Sequence, residues 1–227
     1  MERSMCGMGT RLTCLVLLCS VTVAQEPART RPNLVLVMAD DLGAAELGCY
    51  GNTEHATPNL DRLAAEGVRF ETAFAACVCR PTRIMLLTGQ YGCHNGVYNF
   101  DEKRGGPTPE VSDVTRHLTF AQLLRGAGYK TGLCGKWQLS GTPPTMLNEA
   151  GFDEYLIWAQ EGRYLTPEQD AAAKEAGIKA RARYWSPRLS HNGEWLPTDA
   201  DTYGPDVFTD FAIDFMGRHR DEPFLLY

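Results

Sequence analysis

Apolar residues fall into short continuous runs separated by stretches with helical spacing. The first run past residue 30, Asn33 to Ala39 (NLVLVMA), is broken abruptly by Asp40, Asp41 and Gly43. An uninterrupted apolar run of this length predicts a strand buried on both faces of a parallel sheet. Thr57 and Pro58 then offer an N-cap and first-turn pair, Leu60, Leu63 and Ala64 form a helical stripe, and Gly67 supplies a stop. These signals predict a helix from Pro58 to Glu66. The alternation returns further on: Thr119 caps a helix carrying Leu123 and Leu124, Gly126 and Gly128 break it, and Lys130 to Cys134 reads as another short strand.

Thr166 and Pro167 open a charged, alanine-rich stretch reaching about Arg183, with few large apolar side chains to bury. It is expected as an exposed helical insertion. Pro205 begins a helix whose Val207, Phe208, Phe211, Ala212 and Phe215 make a broad apolar face, and Phe224 to Tyr227 has the character of a core strand. Strands alternating with helices imply a doubly wound α/β domain. Because the chain stops inside an apolar strand, the natural domain is expected to continue beyond Tyr227. No internal repeat is visible.

The amino terminus follows a different pattern. Arg3 and Arg11 precede an apolar run from Leu12 to Val23, and the small Ala24 closes it, which is a signal-peptide layout. A spanning helix needs about 20 apolar residues; this run is shorter and interrupted by Thr13, Ser20 and Thr22. The expectation is export to a secreted or periplasmic location with cleavage near Ala24 and no stable membrane anchor. Residues 25–32 then form a linker and 33–227 the domain.

With 227 residues, 44% of them hydrophobic, the chain can bury one sizeable core. The formal net charge is −6, which argues against a nucleic-acid partner, since phosphate contacts call for a basic face. An anionic substrate would have to be held by local charges. Loss of residues 1–24 removes Cys6, Cys14 and Cys19 and leaves the odd set Cys49, Cys77, Cys79, Cys93 and Cys134, so one thiol is left over from any pairing. Cys77 and Cys79 lack the Cys-x-x-Cys spacing of a redox pair.

Three segments carry candidate chemistry. Asp40 and Asp41 sit where a strand ends, the usual place for ligand-binding groups in an open α/β sheet, and two hard carboxylates there suit a divalent cation; adjacent Asp residues are also common in solvated turns. In Cys79-Arg80-Pro81-Thr82-Arg83, the proline suits a helix first turn, placing Cys79 just before an N-terminus where backbone N–H groups favour negative charge. Arg83, four residues on, shares a face with Cys79, or is a solvated helix charge. The third segment runs from Gly128 to Leu139 and holds Gly135-Lys136-Trp137-Gln138-Leu139, where Lys136 is a candidate anion ligand or a solvated surface cation.

Thr57-Pro58-Asn59-Leu60-Asp61-Arg62-Leu63-Ala64, Cys79-Arg80-Pro81-Thr82-Arg83 with the following Ile84 to Gly89, and Gly128 to Leu139 with its Gly135-Lys136-Trp137-Gln138-Leu139 resemble, in order, segments of the formylglycine-dependent sulfatases. The resemblance implies an alkaline-phosphatase-like α/β sandwich with a mostly parallel central sheet flanked by helices, incomplete at its carboxyl end. It also implies hydrolysis of sulfate monoesters, of a sulfated carbohydrate or an aryl sulfate. A separate maturation enzyme would convert Cys79 to formylglycine, whose hydrate carries two hydroxyl groups. One attacks sulfur to form a covalent sulfate ester; the other lets the aldehyde re-form as sulfate leaves.

By the same resemblance, calcium is held by Asp40, Asp41 and the oxygen at Cys79, with a later ligand pair beyond Tyr227. Arg83 orients the hydrate and Lys136 contacts sulfate. His94, in the loop after the signature helix, is a candidate substrate contact, or simply exposed. Gln138 departs from the pattern, which often has histidine there: glutamine can position an oxygen but cannot serve as a base. The alternatives are a phosphate or phosphonate monoester hydrolase of the same superfamily, and a catalytically silent domain that keeps the fold.

The signal-peptide reading is checked at the amino terminus. Terminal peptide mass spectrometry of the exported protein should find a new end close to residue 25; a mature chain still carrying residues 1–24 would mean an uncleaved anchor.

Overall fold

A computed structural model describes residues 31–99, 113–140, 145–160 and 163–227 of the chain; the expected signal peptide lies outside them. Six strands form one sheet: β1 (Leu34–Val35), β2 (Lys130–Gly135), β3 (Glu154–Trp158), β4 (Leu189–His191), β5 (Glu194–Leu196) and β6 (Phe224–Leu226), in the order β1-β6-β2-β3-β4-β5. The pairs β1·β6, β6·β2 and β2·β3 are parallel, while β3·β4 and β4·β5 are antiparallel. The helices are α1 (Pro58–Glu66), α2 (Cys79–Thr88), α3 (Gly92–Asn95), α4 (Phe120–Gly126), α5 (Met146–Glu149), α6 (Pro167–Glu175) and α7 (Gly204–Arg218). The sheet is thus mostly parallel, as the alternating pattern predicts.

The apolar runs behave differently according to their place in the sheet. In β3, Tyr155, Leu156, Ile157 and Trp158 are all buried, and so are all three residues of β6. In β1 only alternate side chains reach the core: Leu34, Leu36 and Met38 pack against it, whereas Val35 is 53% and Val37 85% exposed. The expected two-sided burial of Asn33 to Ala39 therefore fails on one face. The reason is position: Val35 and Val37 face the open cavity beside the sheet, and among the described residues nothing closes over them.

Local signals hold well for the helices. α1 has the predicted bounds, but the Thr57 side chain makes no cap bond. Its hydroxyl instead accepts from Gly48 N (2.8 Å) and donates to Asp61 (3.0 Å), tying the preceding turns to the helix. Thr119 heads α4 in a capping box with Gln122. α6 starts at a second capping box, Thr166 with Gln169, but ends at Glu175, eight residues before Arg183, with Gly177 in a left-handed conformation (φ 77°) soon after. The stretch is also more than an exposed insertion, because Ala173 and Ile178 are buried and the fully buried Arg188 pairs with Asp170 and donates to Ile178 O (2.7 Å).

α7 lies close on β2 because Gly132 has no side chain: a Cβ there would sit 2.7 Å from the Phe215 ring. Phe215 is fully buried between Phe224 and Leu226 of β6 and its own helix, and truncating such a ring costs about 3–5 kcal/mol.

At the far end of α7, Arg218 donates to both oxygens of Glu154 (3.0 and 2.7 Å), and His219 Nε2 lies 3.2 Å from the same carboxylate. Burial alone pulls the Glu154 pKa up, but the hydrogen bonds and charges of Arg218 and His219 together outweigh it and hold the carboxyl below its ordinary 4.5. A lowered folded-state pKa gives stability that is present above pH 4.5 and lost as pH falls through the folded value. Arg218 is nearly half exposed, so the contribution is about 1 kcal/mol or less. Glu154→Gln should therefore lower the melting temperature by a few degrees at pH 7, with the difference from wild type shrinking as the pH drops below 4.5; an equal difference at both pH values would contradict the assignment.

Candidate active site

The parallel strands β1, β6 and β2 run side by side, so their carboxyl ends meet at one edge of the sheet. Asp40 follows β1, Tyr227 follows β6 and Lys136 follows β2. At this edge opens a cavity of about 700 Å³, bounded by Asp40, Arg83, Lys136, Arg183 and Tyr227 on the polar side and by apolar residues of β1 and α7 on the other.

Asp40 is the centre of the polar side. Lys136 Nζ reaches both of its oxygens at 2.7 and 2.8 Å, Arg183 Nη1 lies 3.5 Å from Oδ2, and Arg83 Nη2 lies 4.0 Å from Oδ1. Three cations thus converge on one carboxylate that is itself only 23% exposed. In a partly desolvated site such charges act more strongly on one another, and on an incoming anion, than they would in water.

Arg83 is held in place by α2. The helix begins at Cys79 itself, with Val78 as its N-cap, one residue earlier than the proline suggests. One turn on, Arg83 is buried, with its side chain 5% exposed, and Nη1 donates to Lys136 O (2.5 Å) and approaches the Tyr227 hydroxyl (3.4 Å). The solvated-charge reading of Arg83 is excluded by this burial, and that of Lys136 by its 16% exposure and its bonds to Asp40. The Tyr227 phenol is pushed above its ordinary pKa by burial, against the opposing effect of Arg83.

Of the other expected site residues, Cys79 is half-buried at the start of α2 and does not bound the cavity. Asp41 is exposed, with a left-handed backbone (φ 57°) that turns it away from the strand direction. His94 is exposed on α3. Gln138 also has φ 57°, and its Oε1 is buried without a hydrogen-bond partner among the described residues. Asp40, Arg83 and Lys136 are therefore gathered at the cavity, whereas Cys79, Asp41, Gln138 and His94 lie around or beyond it.

Arg183 and Trp158 were not legible as site residues. Arg183 falls in a stretch whose composition reads as solvated helix, and nothing in its local sequence marks it. Its guanidinium carbon stands 4.3 Å from the centre of the Trp158 ring, a contact created only by the fold.

Calcium takes hard oxygen ligands, 6 to 8 of them. Asp40, at the cavity, and the adjacent Asp41 are donors of the right kind. Among the described residues no group of three or more His, Cys, Asp or Glu side chains gathers to hold a metal. The donors fit calcium in kind and supply part of the number it needs.

The chain is thus an α/β domain with a cluster of cationic side chains at the carboxyl edge of its parallel strands, and its architecture is alkaline-phosphatase-like. The sulfatase family model matches residues 32–227, and the chain belongs to the sulfatase family. It is 38% identical to pig (Sus scrofa) N-acetylgalactosamine-6-sulfatase over 229 aligned residues, covering 96% of this chain and 42% of that protein. It is 48% identical to human (Homo sapiens) arylsulfatase H over 113 residues, covering 48% of this chain and 20% of the relative. Among solved structures, BT4656 in complex with its substrate D-glucosamine-2-N,6-O-disulfate superposes with a TM-score of 0.63 at 29% identity, over 87% of this chain and 33% of that one. The chain thus spans between a fifth and about two fifths of the length of these relatives.

Cys49, Cys77, Cys79, Cys93 and Cys134 all carry free thiols. Burial pushes the Cys134 thiol, beside the site, up to about 11 from an ordinary 9.0, while Cys77 and Cys93 are exposed. Alkylation at pH 8 should therefore label the exposed Cys77 and Cys93 well before Cys134, whose burial both disfavours the reacting thiolate and blocks the reagent. Peptide mapping after timed iodoacetamide treatment reads this order, and denaturant should abolish it.

Proposed function

We propose that this protein hydrolyses sulfate monoesters, on a sulfated carbohydrate or an aryl sulfate, after export from the cytoplasm. The observation that carries the reading is the convergence of Lys136 and Arg83 on one anionic oxygen pair at the mouth of the parallel sheet, next to the helix that Cys79 opens. Membership of the sulfatase family supports it. So do the relatives named for sulfated sugars and aryl sulfates.

The chain's own residues would divide the work as follows. The amino end of α2 puts the oxygen at position 79 among backbone N–H groups and the positive end of a helix dipole, which favours a developing negative charge there. Arg83, clamped by the Lys136 carbonyl, cannot swing away, so its guanidinium meets a sulfate oxygen already oriented. The Lys136 ammonium, placed by the end of β2, takes up charge that grows on the sulfate oxygens as the ester bond breaks. Apolar residues of β1 and α7 face these cations across the cavity and offer them no competing hydrogen bonds. Calcium would be held by Asp40 and Asp41 with further ligands, and formylglycine, made at Cys79 by a maturation enzyme, would supply the nucleophilic oxygen. Gln138, which stands where the family resemblance often has histidine, can accept or donate a hydrogen bond but cannot take a proton as a base.

Matured wild-type protein should release sulfate from an aryl sulfate faster than phosphate or phosphonate from esters of the same leaving group. Cys79→Ala should lose that activity and Lys136→Ala should reduce kcat about 10²- to 10³-fold, as the loss of one charge-stabilising donor does elsewhere. Peptide mass spectrometry should find an aldehyde in place of the thiol at position 79. A preference for the phosphate ester would favour the phosphoryl alternative, and full activity of Cys79→Ala would remove the proposal.

A further inference from the structure

Arg183 is held more firmly than its place in a polar connecting segment suggests. The Trp158 indole N–H donates to Ala182 O (2.8 Å), and the face of the same ring lies 4.3 Å below the Arg183 guanidinium. On its other side Gly204 N donates to Tyr184 O (2.6 Å), and a Cβ at Gly204 would come within 2.5 Å of the Arg183 carbonyl oxygen. The backbone at 182–184 is therefore pinned between β3 and the start of α7. The side chain is 39% exposed and bounds the cavity, with Nη1 directed at the carboxylate that Lys136 holds.

From this geometry we propose that Arg183 is a substrate-binding residue, a third cation that takes the sulfate group together with Lys136 and Arg83. The inference rests on the sulfate-ester reading above and adds a residue to it. The Asp40 carboxylate marks where anionic oxygens meet these side chains, and three cations on one carboxylate leave a surplus of positive charge facing the cavity. Stacking on Trp158 fixes the guanidinium plane, so little rotamer freedom is lost when it binds. A planar fork offering two N–H groups to an oxyanion is also the geometry a lysine ammonium cannot reproduce. Removal of one positive charge acts in proportion to the charge of the anion, so inorganic sulfate, a dianion, should feel the loss more than a monoester monoanion.

The test uses the matured full chain and inorganic sulfate as probe, with calorimetry for affinity and a chromogenic aryl sulfate for kinetics. Arg183→Met, which keeps the stem over the Trp158 ring, should weaken sulfate binding about tenfold, a change of the size expected for losing one charged hydrogen bond. It should raise KM less than that, by about threefold, change kcat least, and make sulfate affinity less dependent on salt. Arg183→Lys should recover only part of the affinity, and Arg220→Ala, at an exposed arginine past the end of α7 that does not bound the cavity, should leave both measurements unchanged. Circular dichroism and melting curves establish that each variant is folded, and Arg183→Lys serves if Arg183→Met is not. Wild-type sulfate affinity and KM in either folded Arg183 variant, or no sulfate binding by the wild-type protein, would overturn the proposal. If sulfate binding depends on Arg183 but no sulfate ester is hydrolysed, the anion site stands and the sulfatase reading falls; the converse result leaves that reading intact and removes Arg183 from it.

Discussion

The contact between Asp40 and Lys136, with Arg83 and Arg183 close by, is an electrostatic balance that each of its members needs. A carboxylate drawn partly out of water requires positive partners, and an arginine as buried as Arg83 requires acceptors. Arg83 meets part of that need through the Lys136 carbonyl and the Tyr227 hydroxyl, with Asp40 at 4.0 Å, while its Nε is buried without a partner among the described residues. Breaking a buried pair by removing one partner typically costs about 3–5 kcal/mol, and the 23% exposure of Asp40 reduces that figure through solvent screening. The group is therefore held by charge compensation among residues far apart in the chain, and the cavity inherits its positive surplus from them.

Topology makes the meeting possible. Parallel strands deliver their carboxyl ends to one edge of the sheet, and the order β1-β6-β2 sets Asp40, Tyr227 and Lys136 on neighbouring strand ends. Gly132 lets α7 settle on β2, and α7 in turn forms the apolar wall opposite the cations. The α2 helix crosses at the right height for Arg83 to reach the same edge. An antiparallel arrangement of these three strands would have scattered the residues to opposite ends.

The helix and strand signals were carried by short-range physics and were readable. The Pro58–Glu66 helix, the Thr119 capping box, the strand from Lys130 and the aromatic face of α7 all follow from spacing and capping chemistry. Departures came where a neighbour decided the outcome. Thr57 gives its hydroxyl to the Asp61 side chain and Gly48 N rather than to a helix backbone N–H, Val35 and Val37 stay exposed because they face the open cavity, and α6 stops at Glu175, where the chain turns back to bury Ile178 and Arg188.

The alternating α/β pattern, the family, and three of the residues that gather at the cavity, Asp40, Arg83 and Lys136, were legible along the chain because each lies in a contiguous motif. That Lys136 and Arg83 share the Asp40 carboxylate, that Arg83 is buried rather than solvated, and that Arg183 and Trp158 stand beside them follow from the folded arrangement alone. The physical reason is distance along the chain: charge compensation and ring stacking between residues 40, 83, 136, 158 and 183 depend on strand order and sheet edge, which no local spacing encodes.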